Sequence, residues 1–143
     1  MPMAGAERYV LDTSALFCLK DNEAGAEEVV KLLERTGKRG GVYVSFAAMM
    51  EYFYITYMEL GRESAYQSYL ELKMLPIQVV ESEESLRLAA GEIKASFSLS
   101  FADAWIAATA ESLGAWLVHK DPEFEVLDKR LSLKPLPYKN KKS

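Results

Sequence analysis

Asp12, Glu51, Asp103 and Asp121 stand apart from the other charges of this 143-residue chain. Most of its acids sit in polar clusters such as Glu27-Glu28 or Glu81-Ser82-Glu83-Glu84, the pattern of wet faces. Glu51 is instead the only charge from Val42 to Met58, amid Phe46, Met49, Met50, Tyr52, Phe53 and Ile55. Asp103 lies between Ala102 and Ala104 in a segment, Phe101 to Leu113, that is apolar on nearly every face. Asp12 closes the apolar run Tyr9-Val10-Leu11, and Asp121 comes three residues after the apolar segment Ala115 to Val118.

A carboxylate in apolar surroundings needs hydrogen-bond donors, a proton or a cation. Two like charges about 4 Å apart repel by roughly 4 kcal/mol at an effective dielectric near 20, so four gathered carboxylates require protonation or a bound cation. One histidine and one cysteine, Cys18, exclude a zinc finger and an intrachain disulfide, so any metal must be held mainly by oxygen. Such a site suits Mg²⁺ or Mn²⁺, ions commonly completed by substrate phosphate oxygens. A divalent ion lowers the pKa of a coordinated water and stabilises a leaving oxygen, which is the chemistry of phosphodiester hydrolysis. Structural roles compete with this reading: Ser100-x-x-Asp103 fits a capping box, Asp121-Pro122 fits a turn, and Glu51 fits a helix surface flanked by Tyr and Thr.

Elements able to carry these acids alternate along the chain. Tyr9 to Leu11 reads as a strand; Thr13 or Ser14 caps the turn after Asp12, and Ala24 to Thr36 has helical spacing through Val29, Val30, Leu32 and Leu33. Gly40-Gly41 reopens the chain into the strand Val42 to Val44, and Ser45 caps a helix to about Leu60. Gly61 breaks it before a second helix to about Met74. Pro76 precedes the strand Ile77 to Val80, and Ser82 caps a helix to about Phe97. Ser100 caps the helix Phe101 to Leu113, Gly114 stops it, and Ala115 to Val118 is a buried strand. Leu133 to Leu136, with its prolines, suits a sheet edge. Right-handed crossovers then predict an α/β fold, a three-layer α/β/α sandwich around a mainly parallel sheet, with ligands gathered at the strands' carboxyl ends.

Composition suits one soluble globular domain over residues 1–143: half the residues are apolar and 27% are charged. The net charge of −4 hides an asymmetry. Residues 129–143 carry six Lys or Arg and no acid, leaving the preceding 128 residues at −10. The stretch from about 138 to 143 reads as a basic, frayed tail, and Arg35, Lys38 and Arg39 form a second basic patch. No apolar run approaches the roughly eighteen residues of a membrane span, and Met1 to Glu7 lacks the pattern of a signal peptide, so a cytoplasmic location without membrane contact is expected.

Taken together, Tyr9-Val-Leu-Asp12-Thr13-Ser14-Ala-Leu, Glu51 early in the second long helix, Ser100-Phe-Ala-Asp103-Ala, and Leu117-Val-His-Lys-Asp121-Pro-Glu-Phe124 resemble the PIN-domain nucleases of the VapC toxin type. The resemblance spans nearly the whole chain. It implies a five-stranded parallel sheet, Mg²⁺- or Mn²⁺-dependent endoribonuclease activity on an RNA substrate, inhibition by a cognate antitoxin protein, and a homodimer. It makes Asp12 and Asp103 the principal metal ligands, has Glu51 bind metal directly or through water, lets Asp121 complete the site, and gives Ser14 the support of Asp12.

One position departs from the family's pattern. Relatives usually carry Thr or Ser two residues before the last acid, where this chain has His119, a candidate phosphate contact or a structural residue; Lys120 beside it would neutralise Asp121 or face RNA. Tyr52, Phe53, Tyr54, Tyr57, Tyr66 and Tyr69 offer either hairpin packing or an interface for a second copy and an antitoxin segment. A response-regulator receiver and a haloacid-dehalogenase phosphatase lack their own acids in this chain. The non-enzyme alternative is a PIN-like RNA-binding or assembly module whose site has lost useful activity.

Overall fold

Val10 and Leu11 are consecutive in the first strand and both are fully buried, so the sheet is covered on its two faces. The computed structural model describes residues 7–139, and the strands alternate with helices throughout. The order is β1 (Tyr9–Leu11), α1 (Thr13–Lys20), α2 (Ala26–Arg35), β2 (Val42–Ser45), α3 (Phe46–Leu60), α4 (Arg62–Lys73) and β3 (Gln78–Val80). Then come α5 (Glu84–Ser96), α6 (Phe101–Leu113), β4 (Trp116–His119), a 3₁₀ turn (Pro122–Leu127) and β5 (Ser132–Pro135).

The five strands lie in the order β3-β2-β1-β4-β5, and every pairing is parallel. Growth of the sheet runs outward from β1 to β3, then jumps back across β1 to β4. That reversal creates a switch point between β1 and β4, whose register pairs Leu11 with Val118. In open α/β sheets the crevice beyond such strands is the natural ligand site. The expected sandwich and the proline-bearing edge strand are therefore both present.

Local differences from the sequence reading have physical causes. The residues after β1 form a helix, α1, and its N-cap is Asp12 itself: the Asp12 carboxylate accepts from the Ala15 N–H at 3.0 Å, so neither Thr13 nor Ser14 caps it. Glu83 replaces Ser82 as the cap of α5 by accepting from the Leu86 N–H at 3.3 Å. Strand β4 runs to His119, one residue beyond the expected end, because Pro135 of β5 extends the pairing. Helix α2 starts at Ala26, since Gly25 at φ +104° ends the preceding loop in a conformation that side chains rarely adopt. Ser45 and Ser100 cap α3 and α6 as expected.

One continuous core joins the layers. Ile106, Ala107, Ala108 and Ala110 of α6 are fully buried, as are Leu117 and Val118 of β4 and Phe124 and Leu127 of the 3₁₀ turn. The small side chains of α6 let it approach its neighbours closely, and α6 contacts β1, β2 and β4. Of the expected tail, residues 140–143 lie outside the described residues; Tyr138 and Lys139 are held, Tyr138 by a 2.8 Å hydrogen bond from its hydroxyl to Glu125 and Lys139 by a 3.2 Å ion pair with Glu23.

Phe124 locks the turn after β4 onto the core, so Phe124→Ala should cost about 3–5 kcal/mol in urea unfolding. A loss below about 1 kcal/mol would show that the turn is not part of the cooperative core.

Candidate active site

Asp12, the residue after β1, is 3% exposed. Its carboxylate accepts from the Ser14 hydroxyl at 2.7 and 2.9 Å, in addition to the Ala15 N–H. The same Ser14 oxygen accepts from the Lys120 N–H at 2.8 Å. Ser14 therefore ties the end of β1 to the loop after β4.

Glu51 lies in the second turn of α3 and accepts from the Thr13 hydroxyl at 2.5 Å, an anchor that the sequence reading missed. Asp103 sits in the first turn of α6, where its N–H donates to the capping Ser100 hydroxyl at 3.1 Å. Among the described residues the reciprocal half of a capping box, from the Ser100 N–H to the Asp103 carboxylate, does not form. Asp121 caps the 3₁₀ turn by accepting from the Glu123 N–H at 2.9 Å.

All four acids line one cleft of about 960 Å³ at the switch point. Asp103 is its hub, close enough to Asp12, Glu51 and Asp121 for their charges to act on one another. Asp103, Asp121 and Glu123 each present a carboxylate oxygen within 4.8 Å of the others. Glu123 was not among the expected site residues; its position two residues after Asp121, inside a capped turn, is the only local signal for it. Asp12 and Glu51 stand outside that trio but line the same cleft.

This donor set fits a hard divalent cation. It offers oxygen alone, its members repel one another, and the adjacent cation points elsewhere: Lys120 is buried, with its ammonium donating to the Ala24 carbonyl at 2.9 Å and paired with Glu23 at 3.2 Å. The Lys120 ammonium thus pairs with the α1–α2 loop rather than with Asp121, because a buried ammonium requires acceptors and finds them there. Residues 9–130 match the family model of the PIN domain.

The chain belongs to the PIN domain family. Solved structures with the same fold include VapBC2 from Rickettsia felis bound to a DNA fragment of its promoter, at 18% identity and a TM-score of 0.71, covering 90% of this chain and 98% of that one. VapBC-1 from nontypeable Haemophilus influenzae is 23% identical with a TM-score of 0.67, over 89% and 96% of the two chains. Mycobacterium tuberculosis VapC20, a sarcin-ricin loop cleaving toxin, is 18% identical with a TM-score of 0.65, over 82% and 93%. No curated protein sequence matches the chain significantly.

His119 of this PIN domain is fully buried, so it does not reach a phosphate. Its Nδ1 accepts from the Asp121 N–H at 3.2 Å, its ring packs edge-on against Phe124 at 5.3 Å, and Nε2 has no partner among the described residues. Burial lowers its pKa, against the opposing pull of Asp121. A neutral imidazole that steadies the Asp121 backbone is the role this geometry supports.

Burial pushes the Asp12 pKa up to about 7, with the Ser14 and Ala15 hydrogen bonds opposing and the Asp103 charge assisting. Asp103 is raised to about 6, first by burial and then by Glu51 and Asp121. In the unfolded chain both carboxyls ionise near pH 4. Between about pH 4 and 7 the folded state therefore binds protons that the unfolded state has lost, and stability falls as pH rises through that window. The metal-free protein should lose stability on the order of a few kcal/mol there. Asp12→Asn removes one such carboxyl and keeps a side chain able to cap α1. Thermal melts in EDTA should show a shallower decline with pH for the variant, which melts above wild type at pH 8; Mn²⁺ should reverse that order. Parallel curves for the two proteins would mean that Asp12 carries no buried charge.

Proposed function

We propose that this PIN domain is a divalent-metal-dependent endoribonuclease that hydrolyses RNA phosphodiester bonds, and that it is the toxin of a type II toxin-antitoxin pair. The observation that carries the reading is the convergence of Asp12, Glu51, Asp103 and Asp121 on one switch-point cleft, where Asp12 is buried and Asp103 half-buried, both at the expense of their ionised forms. Groups without a function have no reason to hold that repulsion in place. Structural neighbours support the toxin reading, since they include VapBC complexes and a sarcin-ricin loop cleaving VapC.

In this assignment Asp12 and Asp103 are the principal ligands of Mg²⁺ or Mn²⁺, Glu51 binds directly or through water, and Asp121 completes the set with Glu123 beside it. The ion supplies a water of lowered pKa and positive charge for the scissile phosphate. The chain supplies placement. Ser14 and the Ala15 N–H hold the Asp12 carboxylate, Thr13 fixes one oxygen of Glu51, and the Glu123 N–H and His119 fix the side chain and backbone of Asp121. Preset ligands spare the site reorganisation when substrate arrives.

The α3–α4 hairpin is the surface for protein partners in this reading, a second copy of the chain and the antitoxin. Tyr52 is removed from it, because it is buried and stacks on Phe17 at 4.9 Å. Phe53 packs among Tyr57, Tyr66 and Tyr69 with ring centroids 4.9 to 5.9 Å away. Met50, Met58, Leu60 and Leu70 are left exposed, each more than half accessible. Exposed side chains of this type favour burial against a partner.

Two measurements test the reading. Purified protein incubated with a panel of structured, end-labelled RNAs should cut at few sites in Mn²⁺ or Mg²⁺, with cutting lost in EDTA and reduced to background by Asp103→Asn; cutting that survives the substitution would remove Asp103 from the site. Light scattering at micromolar protein should give twice the monomer mass, and a monomeric mass would end the homodimer assignment.

A further inference from the structure

Among the described residues, eight acidic side chains line the cleft against two lysines, Lys120 and Lys139, although the proposed substrate is a polyanion. Lys120 is occupied: it is buried, bonded to the Ala24 carbonyl and paired with Glu23. Lys139 is different. Its side chain is 75% exposed at the mouth of the cleft, and its ion pair, 3.2 Å to Glu23, shares an acid that Lys120 already neutralises.

The position of Lys139 is built by the fold. After β5 the chain runs as a strap, residues 136–139, across the loop between α1 and α2. The Leu136 N–H donates to the His119 carbonyl at 2.7 Å, and the Leu136 side chain is buried. Pro137 and Leu136 press so closely on Gly25 that a Cβ there would lie 3.0 and 3.1 Å from them. Tyr138 lies over the His119 ring, centroid to centroid 6.0 Å, and its hydroxyl donates to Glu125. These contacts carry the strap from the edge strand back to the acidic site, and Tyr138 and Lys139 both line the cleft.

We propose that this strap is a wall of the substrate channel and that Lys139 binds a phosphate of the RNA next to the scissile group, exchanging Glu23 for the nucleic acid. The proposal rests on the ribonuclease reading above. Exchange costs little, because the Lys139 ammonium is already largely solvated and Glu23 keeps Lys120 as its partner. A lysine at this place offsets the repulsion that the acidic walls exert on an approaching backbone, whereas the cleft floor is reserved for the metal ligands. Lys139 is a substrate-binding residue in this assignment and takes no part in bond breaking.

The test is steady-state cleavage of an RNA from the panel above, measured against KCl concentration for wild type, Lys139→Ala and Lys139→Arg. Each phosphate contact contributes about 0.7–0.9 to the slope of log affinity against log salt. Lys139→Ala should raise KM roughly five-fold at low salt, leave kcat within about two-fold and make the salt dependence of KM shallower by about one contact, with Lys139→Arg restoring both. If Lys139→Ala lowers the melting temperature but leaves KM and its salt dependence unchanged, Lys139 merely pins the strap to Glu23 and the proposal is overturned. A fall in kcat with an unchanged salt slope overturns it as well. A wild-type protein that cuts none of the RNAs removes the ribonuclease reading and this proposal together, an outcome distinct from either of the others.

Discussion

A carboxylate taken out of water is the constraint from which the site follows. Asp12 is almost wholly buried, and the first turn of α1 supplies its donors, the Ala15 N–H and the Ser14 hydroxyl, while that hydroxyl oxygen accepts from the backbone after β4. The β1–β4 pairing brings those places together, so the central sheet and the ligand shell of Asp12 are one construction. Hydrogen bonds lower the cost of the charge without abolishing it, since the Asp12 pKa remains well above the usual carboxylate range. What is left uncompensated is the attraction that the site can offer a cation.

The other acids are placed by the same device, the beginning of a capped element. Asp12 caps α1, Asp103 follows the capping Ser100 in the first turn of α6, Asp121 caps the 3₁₀ turn, and Glu51 rides in the second turn of a helix capped by Ser45. Helix N-termini carry unpaired N–H groups and a partial positive charge that favours nearby carboxylates. Parallel strands deliver their following helices to one edge of the sheet with N-termini pointing inward. Four acids distant in sequence thus reach one cleft without a dedicated scaffold. Asp12 and Asp121 show both placements at once, each capping an element while lining the cleft.

The cleft also shows why its neighbouring cations are arranged as they are. A lysine aimed at the carboxylates would neutralise them and compete with a divalent ion. Lys120, the lysine nearest in sequence to Asp121, is turned into the α1–α2 loop and saturated there. Lys139, held by the strap, lines the cleft as an exposed side chain paired with Glu23. Buried His119 belongs to the same economy of charge: kept neutral by burial, it gives the Asp121 backbone an acceptor and the strap's Tyr138 a surface to lie on.

By itself the amino-acid sequence determined the order of the strands and the longer helices, the two serine caps at Ser45 and Ser100, the glycine stop at Gly114 and the four isolated acids, but not helix α1. It could do so because those features are local: period, caps and breakers act within a few residues, and a lone acid in an apolar run is visible without knowing its neighbours. The conversion of Asp12 into a helix cap was written in the same local chemistry, but Thr13 and Ser14 were equally suitable candidates. Tertiary structure alone decided where the ambiguous side chains went. Thr13 found Glu51 thirty-eight residues away, Lys120 found Glu23 and Ala24 rather than Asp121, and Glu123 joined Asp103 only because the 3₁₀ turn folds beside α6. The course of the strap, which brings Lys139 to the acidic cleft, likewise depends on the packing of residues 136–138 against Gly25 and His119. Such contacts join segments far apart in the chain, and their outcome depends on which acceptor lies within reach once the sheet has closed.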